Sequence, residues 1–176
     1  MQVSGQAFLL RMDMSPEGKP RDGAEGTELR EPLRTAALEA GLSRMRRPPF
    51  IPYALPALEA TEYAKEEGKF DEFHKACYVA YWEESQDIGR LGVLEAVARE
   101  CGLDWARLEP RLKSEHYRKE VLRQYGEGMR IGFTGIPGFI IGNNGFTGAA
   151  PYETFRLAAE RAMPLVRPDE KPASPG

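Results

Sequence analysis

The chain has 176 residues and a mass of 19.7 kDa, which suits one domain with a sizeable core, or a core carrying a subdomain, and excludes two average independent domains. Its 24 Lys and Arg against 27 Asp and Glu leave a net charge of -3, so there is no basic field to neutralise a run of phosphates and no nucleic-acid partner is expected. The longest apolar stretches fall far short of the roughly 20 residues of a membrane-spanning helix, and Arg11 interrupts the N-terminal apolar segment before an h-region could form. The expectation is a cytoplasmic protein without a membrane partner.

In chain order, Ala7–Leu10 reads as a short strand and Ser15–Gly23 as an exposed loop of turn formers and charges. Leu29, Leu33, Ala36, Ala37 and Ala40 recur at helical spacing, with Pro32 in the first turn and Gly41 as the stop. Prolines 48, 49, 52 and 56 make the segment from Ser43 to Leu55 extended or turning. Helices are predicted over Pro56–Gly68 and Asp71–Glu84, the second with Phe73, Cys77, Ala80 and Tyr81 on one face. The clearest helix carries Ile88, Leu91, Leu94, Val97, Ala98 and Cys101 as its stripe, with Ser85 or Asp87 as cap and Gly102 at C′. Asp104 opens a short helix that Pro110 is expected to interrupt or restart, and Ser114–Met129 forms the next.

The period changes after Gly132. Gly138–Ile141 reads as a strand, Gly142–Gly145 as a turn and Phe146–Gly148 as the returning strand of a β-hairpin. Pro151 suits N1 of a last helix, Tyr152–Met163, whose core-facing residues would include Phe155, Ala159 and Ala162. Arg167–Gly176 is proline-rich and charged, and is expected to be disordered. The order predicts an α/β chain with a long helical segment between pieces of one sheet.

Read from the residues alone, little chemistry emerges. Cys77 and Cys101 stand 24 positions apart, which excludes a CxxC motif and a multi-cysteine zinc site built from this sequence alone, and both fall on apolar stripes where a free cysteine behaves as a small hydrophobe. His74 and His116 lack a ligand set, so no metal site is expected, and both read as surface or boundary residues. Arg44–Arg47 reads as a solvated loop, and the carboxylate pairs Glu66-Glu67 and Glu83-Glu84 point in different directions from their helices. Pro137, flanked by Gly135 and Gly138, marks a sheet edge. Its local sequence favours an ordinary trans turn, since only about 5–6% of X-Pro bonds in folded proteins are cis.

Assembled in order, these segments resemble a known superfamily. Ser85-Gln86-Asp87-Ile88 with Leu94, Ala98, Gly102 and Leu103-Asp104 resembles the helical-domain signature of DsbA-like thioredoxin proteins. The branch it most resembles is the one containing FrnE-type disulfide oxidoreductases, near 2-hydroxychromene-2-carboxylate isomerases and kappa-class glutathione transferases. Thr134-Gly135-Ile136-Pro137-Gly138-Phe139-Ile140-Ile141, then Thr147-Gly148-Ala149-Ala150-Pro151-Tyr152-Glu153, is similar to that family's ending, and Ala7–Arg11 with Pro16-Glu17-Gly18 is similar to the strand and loop after its first helix. The resemblance implies a thioredoxin-like fold over residues 1–28 and 114–166, an inserted all-helical subdomain over 29–113, and a disordered tail over 167–176.

It also implies thiol-disulfide exchange with a protein thiol or disulfide as substrate. Pro137 would be cis, with Gly135 and Ile136 beside it, Ile136 offering its backbone to an extended substrate or to glutathione. The family's N-terminal strand and the following helix, which carries the redox CxxC or a catalytic serine, have no counterpart here, so no residue inherits the catalytic role and a truncated oxidoreductase is expected. Two readings stand beside it: a glutathione-dependent isomerase or transferase, the only one that calls for a cofactor, and a non-catalytic peptide-binding module. In the last, the sheet gap would be filled by the chain's own N-terminus, a partner strand or a second copy in a homo-oligomer.

Overall fold

The computed structural model describes residues 3–22 and 26–163. The chain divides into two compact units, Met1–Gly128 and Met129–Gly176. Seven helices and two two-stranded antiparallel sheets are present among the described residues. The tail expected to be disordered, 167–176, lies outside them.

The first unit is helical around one buried helix. After β1 (Lys19–Pro20), α1 (Leu33–Glu39) and β2 (Phe50–Ile51) come α2 (Leu55–Glu66), α3 (Phe70–Trp82), α4 (Leu91–Glu100), α5 (Trp105–Lys113) and α6 (Arg118–Arg130). Six consecutive residues of α2, Glu59 to Ala64, are buried, because its remaining faces are covered by α3, α4 and α5. Ala60, Tyr63, Phe73, Leu94, Ala98 and Leu108 are wholly buried at this contact, and each large apolar side chain there contributes about 1.5–3 kcal/mol. Gly102, at φ +68, ends α4 as the stripe predicted. The Leu103 and Gly102 amides return to the Ala98 and Arg99 carbonyls at 2.8 and 3.0 Å, which satisfies the last turn.

Several expected elements differ. Ala7–Leu10 is not a strand: Ala7 and Leu9 are buried against Leu55 and Val121, but the only hydrogen bond that the segment's backbone makes among the described residues runs from the Ala7 amide to the Gln124 side chain. Among the described residues the pairing near the N-terminus is instead that of β1 with β2, Lys19 opposite Ile51. The first helix begins four residues later than predicted, at Leu33. Pro32 is the N-cap residue there, and the Glu31 carboxylate takes the Thr35 amide and hydroxyl. Neither Ser85 nor Asp87 caps α4. Ser85 sits at φ 53, Asp87 accepts the Gly89 amide at 3.0 Å in a turn, and Arg90 is the N-cap. Pro110 leaves α5 unbroken, since it forfeits a single amide at an exposed position of the helix. Glu115, at φ 55, delays α6 to Arg118.

A polar seam joins α2 and α6. Arg118 Nε donates to Glu59 Oε1 at 2.6 Å, although Glu59 is only 1% exposed. The buried Gln124 amide donates to Glu62 Oε2 at 2.9 Å and Glu120 Oε1 at 2.8 Å, while its oxygen accepts the Ala7 amide at 2.6 Å. A buried polar group without such partners would cost stability, and this seam is closed by partners at each position.

In the second unit, β3 (Gly138–Ile141) pairs with β4 (Asn144–Thr147), Phe139 opposite Phe146 and Ile141 opposite Asn144. The returning strand thus starts two residues before the predicted Phe146. Gly142 turns the chain at φ +59, and a Cβ built there would stand 2.7 Å from Ala162 Cβ. α7 (Tyr152–Ala162) packs on the hairpin through Phe155, whose ring centroid lies 4.8 Å from Phe139 and 5.0 Å from Phe146. Ala158 is the buried alanine of α7; Ala159 is half-buried and Ala162, at the last turn, is exposed.

Candidate functional site

The segment singled out by sequence, Gly135-Ile136-Pro137, is the irregular entry to β3. Gly132, at φ +91, stops the chain after α6 and releases it into an open course through Phe133 and Thr134. The Phe133 ring then lies across the hairpin. A Cβ on Gly138 would come within 3.1 Å of it and one on Gly145 within 3.9 Å, so the two glycines leave the floor on which this ring rests. Phe133 escaped the sequence reading, although two glycines on one face of adjacent strands, Gly138 and Gly145, are a usable signal.

The Ile136–Pro137 peptide is cis. The Pro137 carbonyl accepts the Gly148 amide at 2.8 Å, one step beyond the Gly138–Thr147 pair, which extends the hairpin ladder to the site. Ile136 is not tied down in this way. The residue is 50% exposed, and its N–H and C=O make no hydrogen bond among the described residues. β3 pairs with β4 along one edge, and among the described residues no other strand joins it. Ile140, on the face of β3 turned away from Phe139, is also exposed, at 58%. Among the described residues the site therefore offers an unbonded amide, an unbonded carbonyl, an unpaired strand edge and two exposed isoleucines, on a scaffold held by three phenylalanine rings.

Both cysteines belong to the first unit. Cys77 is buried in the helical core of the first unit and Cys101 is half-buried at the end of α4. Burial pushes the Cys77 thiol up to about 12, with a smaller contribution from Cys101, and burial followed by Glu100 and Glu72 raises Cys101. Both shifts oppose the thiolate, the nucleophilic form. His74 stacks on Phe70 and lies tilted against Tyr78 on exposed α3 surface, and His116 lies edge-on to Tyr117. Among the described residues no group of three His, Cys, Asp or Glu is placed to hold a metal, and no helix is long and apolar enough to cross a membrane.

The DSBA-like thioredoxin domain family matches residues 6–160. The chain belongs to this family. "Uncharacterized protein YwbO" of Bacillus subtilis (strain 168) is 34% identical over 110 residues, covering 61% of this chain and 54% of that protein, so the match spans about half the length of this curated relative. A solved structure named "a putative protein disulfide isomerase from Nitrosomonas europaea" matches with a TM-score of 0.54 at 18% identity, over 77% of each chain. That likeness is one of fold, thioredoxin-like and rich in helices.

Proposed function

We propose that these residues form the substrate-positioning part of a thiol-disulfide oxidoreductase of the FrnE-type branch, with 29–113 as its helical insertion. The observation that carries the reading is the unpaired backbone of Ile136 beside the open edge of β3. An extended peptide can take up that N–H and C=O by strand addition, with its side chains against Ile136 and Ile140. Gly135, Ile136 and Pro137 are then the recognition residues, and a cysteine-bearing protein segment is the substrate. No cofactor or metal enters the reading.

Exchange itself requires a thiolate that attacks a disulfide sulfur, forming a mixed disulfide and expelling the second sulfur as thiolate. Burial holds Cys77 and Cys101 in the thiol form, and the sequence has no CxxC. We assign no attacking role to either cysteine. Insulin reduction tests the division of labour. With dithiothreitol as reductant, the purified 176-residue chain should precipitate insulin B chain no faster than dithiothreitol alone, while an immobilised cysteine-containing extended peptide should retain the chain and lose it on Ile136→Pro, which removes the amide donor. Acceleration of insulin reduction that vanishes in Cys77→Ser or Cys101→Ser, or retention indifferent to Ile136→Pro, would refute the proposal.

A further inference from the structure

The first unit contains a pocket of about 220 Å³ in which the turn after β1, the approach to α1, the loop before β2 and the end of α3 meet. Its walls are fixed by backbone bonds between these pieces: Arg21 N to Pro49 O at 2.9 Å, Arg47 N to Thr27 O at 2.7 Å and Arg46 N to Trp82 O at 2.6 Å. Three arginines line it, Arg21, Arg30 and Arg47, against one carboxylate, Glu31. That carboxylate is already bound at 3.2 and 2.7 Å to the amide and hydroxyl of Thr35.

Arg21 is the informative residue. Its guanidinium is part-buried and held by the Pro48 carbonyl at 2.9 Å, the Phe50 carbonyl at 3.4 Å and the Tyr81 hydroxyl at 2.6 Å. All three are neutral, so its orientation is fixed while its charge is not cancelled by an ion pair among the described residues. Its Nη1 makes no hydrogen bond there. Arg30 stands exposed at the rim, and its side chain makes neither a hydrogen bond nor an ion pair among the described residues. The rest of the wall, Leu29, Leu33 and the Trp82 indole, is apolar. In a protein of net charge -3, Arg21 and Arg30 against Glu31 leave a local excess of positive charge among the described residues of this wall, beside a flat aromatic surface.

We infer that this pocket binds a small organic anion with an apolar body, its acidic group between Arg21 and Arg30 and its body against Trp82, Leu29 and Leu33. A fixed guanidinium contributes more to such a complex than a freely hydrated one, because less orientational freedom is lost on binding, and the apolar wall adds burial that an organic body can use and a bare inorganic ion cannot.

The probe is 1-naphthalenesulfonate, titrated into the full chain by calorimetry at low ionic strength, with 1-naphthalenemethanol as the uncharged counterpart. The expected result is saturable one-to-one binding of the sulfonate that weakens with added salt, with binding of the alcohol at least about ten-fold weaker for want of the ion pairs. Arg30→Glu should weaken sulfonate binding about ten-fold or more, and Arg30→Lys should restore most of it. Because the Arg30 side chain bonds to nothing described, both variants should keep the native circular dichroism and melting midpoint. Absence of saturable binding, equal binding of the alcohol, or undiminished binding by folded Arg30→Glu would each overturn the inference.

Discussion

Replacing Arg118 by Met removes the cation 2.6 Å from a carboxylate that is only 1% exposed. Glu59 would be left charged against the core of α2, or would have to take up a proton. Breaking a buried pair from one side costs about 3–5 kcal/mol. The Arg118 side chain keeps 28% of its surface in solvent, so the lower end, about 3 kcal/mol, is the expected loss at pH 7. With a urea m-value of about 1–3 kcal/mol/M, the unfolding midpoint should fall by about 1–3 M.

Removing both charges in Glu59→Leu with Arg118→Met should recover most of that loss, because an apolar pair needs no desolvated ion. The pH dependence has a definite sign. Burial raises the Glu59 carboxyl above its ordinary value, against the opposing pull of Arg118, so the native state binds its proton more tightly than the unfolded chain. The resulting penalty is present above the folded pKa and disappears as pH falls below the unfolded value near 4.5. Without Arg118 the carboxyl rises further, and the deficit of the Met variant should shrink between pH 7 and pH 5. Urea titrations at the two pH values decide the matter: a loss below about 1 kcal/mol, or a deficit that grows on acidification, would refute this view of the seam.

Gln124→Ala should orphan the buried Ala7 amide and one face of Glu62, costing about 1–3 kcal/mol and raising the hydrogen-exchange rate of the Ala7 amide toward that of an unprotected one. Gly142→Ala places a Cβ 2.7 Å from Ala162 Cβ at φ +59, and should destabilise the hairpin by about 1–3 kcal/mol, read as a lower urea midpoint and loss of the β3–β4 amide protection. Cys77, with its thiol pushed up to about 12, should resist iodoacetamide at pH 8 in the native protein and react promptly in 6 M guanidinium. Peptide-resolved mass measurement over time, which separates Cys77 from the half-buried Cys101, distinguishes this from a reactive thiol, which would label within minutes without denaturant.

The parts of this fold legible in the sequence are those made by local pattern. The Phe73, Cys77, Ala80, Tyr81 stripe specifies α3, and Gly138–Ile141 followed by Gly142-Asn143-Asn144-Gly145 specifies the hairpin, because period and turn chemistry act over a few residues. The Gly135-Ile136-Pro137 segment, proposed as the recognition site, could be singled out in sequence for the same reason: it is contiguous. What could not be read depends on neighbours far along the chain. Ala7–Leu10 has the composition of a strand, but a strand needs a paired edge, and its apolar side chains can be buried without one. Glu59 and Gln124 look like surface residues until Arg118 and Ala7 arrive from 59 and 117 positions away. The pocket gathers Arg21, Arg30, Arg47 and Trp82 from separate segments, and no spacing rule connects them.

The most direct measurement is an amide chemical-shift titration of the isotopically labelled chain with a short extended peptide bearing an S-methylated cysteine, which binds without chemistry. Shifts concentrated at Gly135, Ile136 and Gly138, saturating with peptide and abolished by Ile136→Pro in a chain whose α7 resonances are unchanged, are the predicted result. Saturable binding that leaves those amides unmoved, or no binding at millimolar peptide, would contradict the assignment of substrate positioning to the Pro137 loop.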